Sequence, residues 1–139
     1  MDLKTSAVDP NWEPPNDPVF THLLEEAVLG SVPVYFAALP TTSVVRFQPT
    51  FHPEHAKNGD AVVNAIMDEW RRGNFRPIWV YPKGNLFIAS DDYFTLAATE
   101  RGKPDFVPCW VLGLPSKTIA KDIKGPIAPK DVRKMLALR

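Results

Sequence analysis

The chain has 139 residues, of which 45% are hydrophobic and 23% are charged, a balance that fits one folded domain and excludes wholesale disorder. Its sixteen acidic and sixteen basic residues give no formal net charge, and its one cysteine excludes an internal disulfide scaffold. A chain without disulfides is typical of a reducing compartment, so we expect a cytoplasmic protein. The longest apolar run, residues 32–40, is far shorter than the roughly 20 residues that cross a bilayer, and no apolar signal-peptide stretch follows Met1.

The zero net charge hides a division between the two ends of the chain. Residues 1–30 carry six acidic side chains and one basic one, whereas residues 115–139 carry seven basic and two acidic ones. This division indicates either that the ends attract each other, within the fold or across a homodimer, or that the basic end binds an anionic partner. The basic end has no aromatic residues between its charges, which favours the first interpretation.

The first elements are a proline-rich arm and a helix. Residues 1–16 contain three prolines and predict an extended arm without regular structure. Asp17 followed by Pro18 is typical of a helix start, with a capping carboxylate and a proline at the first helical position. Gly30 predicts the end of this helix. Its apolar face has the 3.6-residue period and consists of Val19, Phe20, Leu23, Leu24, Ala27 and Val28.

Short strands and helices then alternate to the end of the chain. The predicted elements are strands at 32–39 and 44–47, a helix from Asp60 to Gly73, strands at 78–81 and 86–89, a helix from Ser90 or Asp91 to Gly102, a strand at 107–112 and a closing helix at about 129–138. Two prolines bracket the first strand, which favours a place near a sheet edge. This order predicts the α+β class, as a single domain at residues 17–139 with a small mixed β-sheet and helices packed on it.

Two helices carry apolar faces that predict their packing. Trp70 lies on the inner face of the helix from Asp60, so we expect it to be a buried anchor. The closing helix presents Val132, Met135 and Leu136, and a helix of about ten residues is marginal alone. We therefore expect the closing helix to dock on the domain or on a second copy of the chain.

Four short motifs in the middle of the chain suggest a family. They are GNFRPIWV at 73–80, LFIA at 86–89, AATERG at 97–102 and Val-Pro at 107–108. Residues 44–114 resemble the ParB/sulfiredoxin-like fold, the N-terminal domain of chromosome-partitioning ParB proteins and their relatives. The resemblance implies a nucleotide-phosphate site, or in sulfiredoxins a reactive cysteine, at the turn between the hairpin and the following helix.

That turn departs from the family pattern. Residues 90–94 read SDDYF, so Asp91 stands where the family has glycine, and Tyr93 and Phe94 stand where it has arginines. Two carboxylates at the mouth of an anion site repel phosphate unless a divalent cation intervenes. Cys109 lies in the last strand and not at the turn, which does not support sulfiredoxin chemistry. The sequence therefore predicts a degenerate ParB-like fold whose family chemistry is lost.

The turn still supplies the best candidates for ligand or partner binding, which are Ser90, Asp91, Asp92, Tyr93 and Arg76. Under an alternative hypothesis, a phosphotransferase-type enzyme uses Asp91 or Asp92 to hold Mg²⁺ and a nucleotide. Two weaker groups lie elsewhere. His52 and His55 are candidate zinc ligands in a loop, and a basic patch with interleaved aromatic residues is a candidate nucleic-acid site, formed by Arg71, Arg72 and Arg76.

The leading hypothesis is a non-catalytic binding or regulatory module without a cofactor, which acts through a protein partner. It depends on the intact apolar skeleton beside the altered turn, since no arrangement of nucleophile, base and acid is evident in the sequence. A homodimer, the nucleotide- and metal-dependent enzyme, and a DNA-binding accessory protein remain the alternatives. We expect no membrane partner.

Overall fold

The computed structural model describes residues 15–137. These residues form a single small α+β domain in which four helices pack on a mixed six-stranded sheet, as the sequence predicts. Residues 1–14 of the predicted arm lie outside the described residues, so the arm stays a prediction. Residues 138 and 139 lie outside them as well, so the predicted end of the closing helix at about residue 138 stays a prediction.

All nine predicted elements are present, together with one that the sequence analysis missed. The helices are α1 (Pro18–Leu29), α2 (Gly59–Arg71), α3 (Tyr93–Gly102) and α4 (Pro129–Ala137). The strands are β1 (Val34–Pro40), β2 (Val44–Arg46), β3 (Ile78–Lys83), β4 (Leu86–Ala89), β5 (Phe106–Leu112) and the unpredicted β6 (Lys121–Lys124).

The sheet has the strand order β2-β4-β3-β5-β1-β6. β2 pairs in parallel with β4 and β3 in parallel with β5, whereas the other pairs are antiparallel. β1 is second from the edge because β6 covers it, with Phe36 opposite Lys124. Lysines on this outer strand discourage pairing with another sheet.

Successive side chains along each strand point to opposite faces of the sheet, and each face has its own core. The face under α3 is filled mainly by small and branched residues, among them Leu39, Ile78, Val80, Phe87 and Val111. The opposite face packs against α1 and α4 and carries larger rings, among them Trp79 and Tyr81 together with Phe20 of α1. The domain is therefore a sheet covered by helices on both faces.

α2 packs mainly on α3. Val63 of α2 is fully buried against Ala97 and Ala98 of α3. Trp70 is only half-buried at the edge of this contact, where its ring stacks on Phe75 with centroids 6.1 Å apart. The expectation of a buried Trp70 anchor was therefore wrong, because the indole packs at the edge of the α2–α3 contact and lines two surface hollows.

α4 docks on the domain, as its apolar ridge predicts. Val132 is 1% exposed and joins the core beneath α1, with Met135 and Leu136 packed beside it. The Nη1 atom of Arg133 donates to the carbonyl oxygen of Val28, 3.1 Å away, near the C-terminal end of α1. A cation at this end is favourable because the helix dipole is negative there. The acidic and basic ends of the chain are thus neighbours within one copy.

Removal of residues 129–139 should lower the melting temperature by several degrees, since the burial of Val132 alone contributes about 1.5–3 kcal/mol. Thermal unfolding followed by circular dichroism measures the change. Lys134→Ala, at an exposed position of the same helix, is the control and should melt like the wild type. An unchanged melting temperature in the truncated chain would show that α4 contributes no stability.

Candidate functional site

The junction between β4 and α3, which contains Ser90, Asp91 and Asp92, is held in place by a buried carboxylate from α1. Asp17 is 4% exposed, and its Oδ1 atom accepts the backbone N–H groups of Val19 at 3.1 Å and Phe20 at 3.4 Å. Its Oδ2 atom accepts the hydroxyl of Tyr81 at 2.7 Å and that of Ser90. Ser90 is itself 6% exposed and faces Asp17. It therefore positions the junction, and its hydroxyl does not face a ligand as the sequence analysis expected.

The two adjacent aspartates hold the start of α3. Asp91 accepts the backbone N–H of Asp92 at 2.9 Å, and the Oδ1 atom of Asp92 accepts the hydroxyl of Thr95 at 2.8 Å. Asp92 is the residue that precedes the helix and has a φ of 55°, so the predicted cap at Ser90 or Asp91 was placed too early. Both aspartates are half-buried at the rim of the junction, where one edge of each reaches solvent.

Tyr93 is turned into the protein. It is 4% exposed, its ring meets Phe51 edge-to-face with centroids 4.8 Å apart, and the guanidinium of Arg46 lies 5.9 Å from its centroid. Burial raises its pKa above the usual tyrosine value. The expectation that Tyr93 contacts a ligand was therefore wrong, because the side chain packs between α3 and the loop after β2.

Three neighbouring hollows, together called the groove here, share lining residues at this end of the molecule. The largest, here called the tryptophan cleft, has a volume of about 530 Å³ and is lined by Arg76, Pro77, Trp79, Asp91, Asp92, Trp110 and Met135. The second, about 300 Å³, shares Arg76 and Asp92 with it and extends past Phe75 to Trp70. The third, about 250 Å³, begins at Trp70 and ends at Pro104.

Two tryptophans from neighbouring parallel strands line the tryptophan cleft. Trp79 of β3 pairs in register with Trp110 of β5, and their ring centroids are 6.2 Å apart. Phe36 of β1 meets Trp110 edge-to-face at 5.5 Å and continues this aromatic row across the sheet. At the end of the row, the Nζ atom of Lys124 lies 5.8 Å from the Phe36 centroid.

The polar rim of the tryptophan cleft is more acidic than basic. Asp91 and Asp92 contribute two carboxylates against the single guanidinium of Arg76. The Nε atom of Arg76 lies 3.7 Å from the Oδ2 atom of Asp92, which exceeds hydrogen-bond distance, and the Arg76 side chain is 67% exposed. Both residues of this ion pair line the tryptophan cleft and the second hollow, and an exposed pair of this kind contributes little stability.

A second charged cluster lies on the other side of α3. Arg46 is 7% exposed and bonds Glu54 with Nη2 and Oε2 2.6 Å apart, Glu100 with Nε and Oε1 3.0 Å apart, and the Phe51 carbonyl at 2.7 Å. Burial alone would raise the pKa of Glu54, but the hydrogen bonds from Arg46 outweigh it and hold that pKa below its usual range. This cluster joins β2, the following loop and α3.

His52, Glu54 and His55 place three ligand-type atoms within 4.8 Å of one another. The two imidazole rings stack with centroids 4.9 Å apart, and the Nδ1 atom of His52 lies 3.2 Å from Glu54. Zinc accepts such ligands, but the Glu54 oxygens are already bound by the guanidinium of Arg46. A cation at this position would have to displace Arg46 from Glu54, so the candidate zinc ligands are better explained as part of the Arg46 cluster.

The arginines of the predicted basic patch are exposed and neutralised on their own helix. Arg71 pairs with Asp68, and Arg72 pairs with Glu69, one turn earlier in each case. Hydrogen bonds from Asn74 and Arg72 lower the pKa of Glu69, which keeps it ionised. Arg76 lines the first two hollows and Arg71 lines the third, whereas Arg72 lines none of the three.

Cys109 is fully buried on the α3 face of the sheet, and burial raises its pKa above the usual thiol value. A thiol of this kind is neutral and inert. In the described residues, no helix is long and apolar enough to cross a membrane. No model of a known protein family matches the chain, and no curated protein matches it.

The turn that the sequence analysis singled out borders the groove, but the groove itself was not predicted. Trp79 and Trp110 lie more than thirty residues apart, and only the parallel pairing of β3 with β5 brings their rings together. Met135 lines the cleft as well, because α4 docks on the same face of the sheet. The one available signal was the alternation of Trp79 and Tyr81 with smaller residues along β3.

Asp17→Ala should lower the free energy of unfolding by about 2–4 kcal/mol. The change removes the cap of α1 and leaves the buried hydroxyls of Tyr81 and Ser90 without their acceptor. Urea unfolding measures it, and the neighbouring exposed Asn16→Ala is the control. A loss below about 0.5 kcal/mol would contradict the role assigned to Asp17.

Stability should fall as the pH rises from about 10 to 12, partly because of Tyr81. Burial, together with the nearby Asp17 carboxylate, raises the Tyr81 pKa to about 12, whereas an unfolded tyrosine titrates near 10. Above the unfolded value the unfolded state loses its proton first, so this contribution is present below pH 10 and is lost through pH 12. Tyr81→Phe should show a shallower alkaline loss in urea unfolding, and equal slopes for both proteins would contradict the assignment.

Proposed function

We propose that this protein is a non-catalytic binding module on a degenerate ParB-like fold and that it acts through a protein partner. The groove carries this proposal, because its three linked hollows run from Trp110 past Arg76 and Trp70 to Pro104. Grooves that recognise peptide segments are commonly lined by aromatic residues with a few placed polar groups. An extended segment of another protein fits this shape better than a single small molecule.

The position of the groove supports the ParB-like part of the proposal. Between residues 44 and 112 the elements follow the order β2, α2, β3, β4, α3, β5, and the groove borders the turn from β4 into α3. The family resemblance implies a phosphate site at this turn. Asp91 and Asp92 face the groove there, and carboxylates disfavour an anionic ligand.

The alternative functions have weaker support from the same geometry. For the phosphotransferase-type enzyme, one carboxylate oxygen of Asp91 and one of Asp92 already accept hydrogen bonds within the turn, which leaves fewer oxygens to hold Mg²⁺. For DNA binding, the paired Arg71 and Arg72 give a weak electrostatic footprint. A cytoplasmic location is part of the proposal, because a chain whose one cysteine is a free thiol is typical of a reducing compartment.

Calorimetric titration with CTP and with ATP, each with and without Mg²⁺, tests the proposal against the nucleotide-dependent alternative. We expect no heat beyond dilution, because the groove rim presents carboxylates where phosphates would lie. Micromolar binding of either nucleotide would overturn the proposal.

A random peptide display library tests the groove itself. Peptides selected on the wild type should lose binding to the double variant Phe75→Ala, Trp110→Leu, which removes aromatic surface from two of the three hollows. Leu114→Ala is the matched control, since Leu114 is an exposed apolar residue outside the groove at 58% exposure. Selected peptides that bind the double variant and the wild type equally well would contradict a groove-based function.

A further inference from the structure

The side chains that line the tryptophan cleft favour a positively charged ligand. The half-buried Trp110 and Met135 supply most of the apolar and aromatic surface, since Trp79 is only 7% exposed, and Asp91 and Asp92 supply carboxylates at the rim. A cation gains from both components, because indole faces attract positive charge and carboxylates pair with it. An anion gains from neither and meets only Arg76.

The aromatic row that lines the cleft already holds a cation at its other end. Lys124 extends from the edge strand β6 to within 5.8 Å of the Phe36 ring, and Phe36 contacts Trp110. Trp110 in turn pairs with Trp79 inside the cleft. The same kind of surface is thus used by the protein for a cationic side chain of its own.

The position of Arg76 in the cleft also favours a cationic ligand. Its guanidinium stands beside Asp92 at 3.7 Å but is mostly exposed and outside hydrogen-bond range. An exposed pair of this sort contributes little stability, so an incoming cation can displace Arg76 from Asp92. Arg76 lines both the tryptophan cleft and the second hollow, so one extended segment that takes its place contacts both.

We infer that the tryptophan cleft receives an arginine side chain from an extended segment of the protein partner. Arginine fits better than lysine, because its planar guanidinium stacks on an indole ring and bonds carboxylates through two nitrogens at once. The cleft volume of about 530 Å³ accommodates such a side chain with adjoining backbone. The inference rests on the proposed function of the groove and names the chemistry of its partner.

The selected peptides provide the first test. Peptides whose binding depends on the groove should carry arginine, and replacement of that arginine by citrulline, which has the same shape without the charge, should weaken binding about tenfold or more. Fluorescence polarisation with labelled peptides measures this. Groove-dependent peptides that lack arginine, or that bind equally well as citrulline forms, would overturn the inference and leave the groove function standing.

Protein variants provide the second test with the same peptides. The double variant Asp91→Asn, Asp92→Asn should weaken binding about tenfold or more, whereas Asp60→Asn, Asp68→Asn removes equal charge from α2 outside the cleft and should change it little. Arg76→Gln removes the internal competitor and should tighten binding severalfold. Weaker binding by Arg76→Gln would show that the cleft prefers an anionic group, and a library without any groove-dependent peptide would overturn both the inference and the proposed function.

Discussion

The buried carboxylate of Asp17 is the constraint on which the arrangement of this end of the domain depends. It joins the first turn of α1 to the Tyr81 hydroxyl of β3 and to Ser90 at the end of β4. A carboxylate removed from water needs several donors to offset its lost hydration, and the two backbone and two side-chain donors supply them. Since Ser90 directly precedes Asp91, the same bond that satisfies Asp17 also fixes where the acidic rim of the groove begins.

The Arg46 cluster holds the other end of α3. Glu100 lies in the last part of that helix and bonds Arg46, which is anchored in β2 and in the Phe51 carbonyl. α3 is therefore fixed at its start through Ser90 and near its end through Glu100. One wall of the groove is rigid as a result, whereas the opposite wall, residues 72–76, is exposed. A partly preorganised site loses less conformational entropy when a partner binds.

The local signals in the sequence were sufficient for most elements of the fold. Asp17 before Pro18 marks the start of α1, and Asp17 does accept the N–H groups of that first turn. β6 was not predicted because three of its four residues are charged. Its strand conformation depends on pairing with β1. Trp70 was wrongly expected to be buried, because the apolar face of α2 does not show how much of that face α3 covers. The tryptophan cleft depends on the pairing of two strands that are distant in the sequence, and the hydrophobic periodicity of each strand does not show which strands pair.

Two side chains at the start of α3, Tyr93 and Phe94, affect both the packing of that helix and the proposed change of ligand chemistry. At the two positions where the family resemblance implies arginines, Tyr93 is buried against Phe51 and Phe94 packs at the contact between α2 and α3. These side chains contribute to the core and not to the surface of the groove. Glycine in place of Asp91 would therefore not by itself create an anion site, because the positive charges would have to replace packed rings. Under the proposed ParB-like fold, the absence of the two arginines and the packing of α3 thus depend on the same residues.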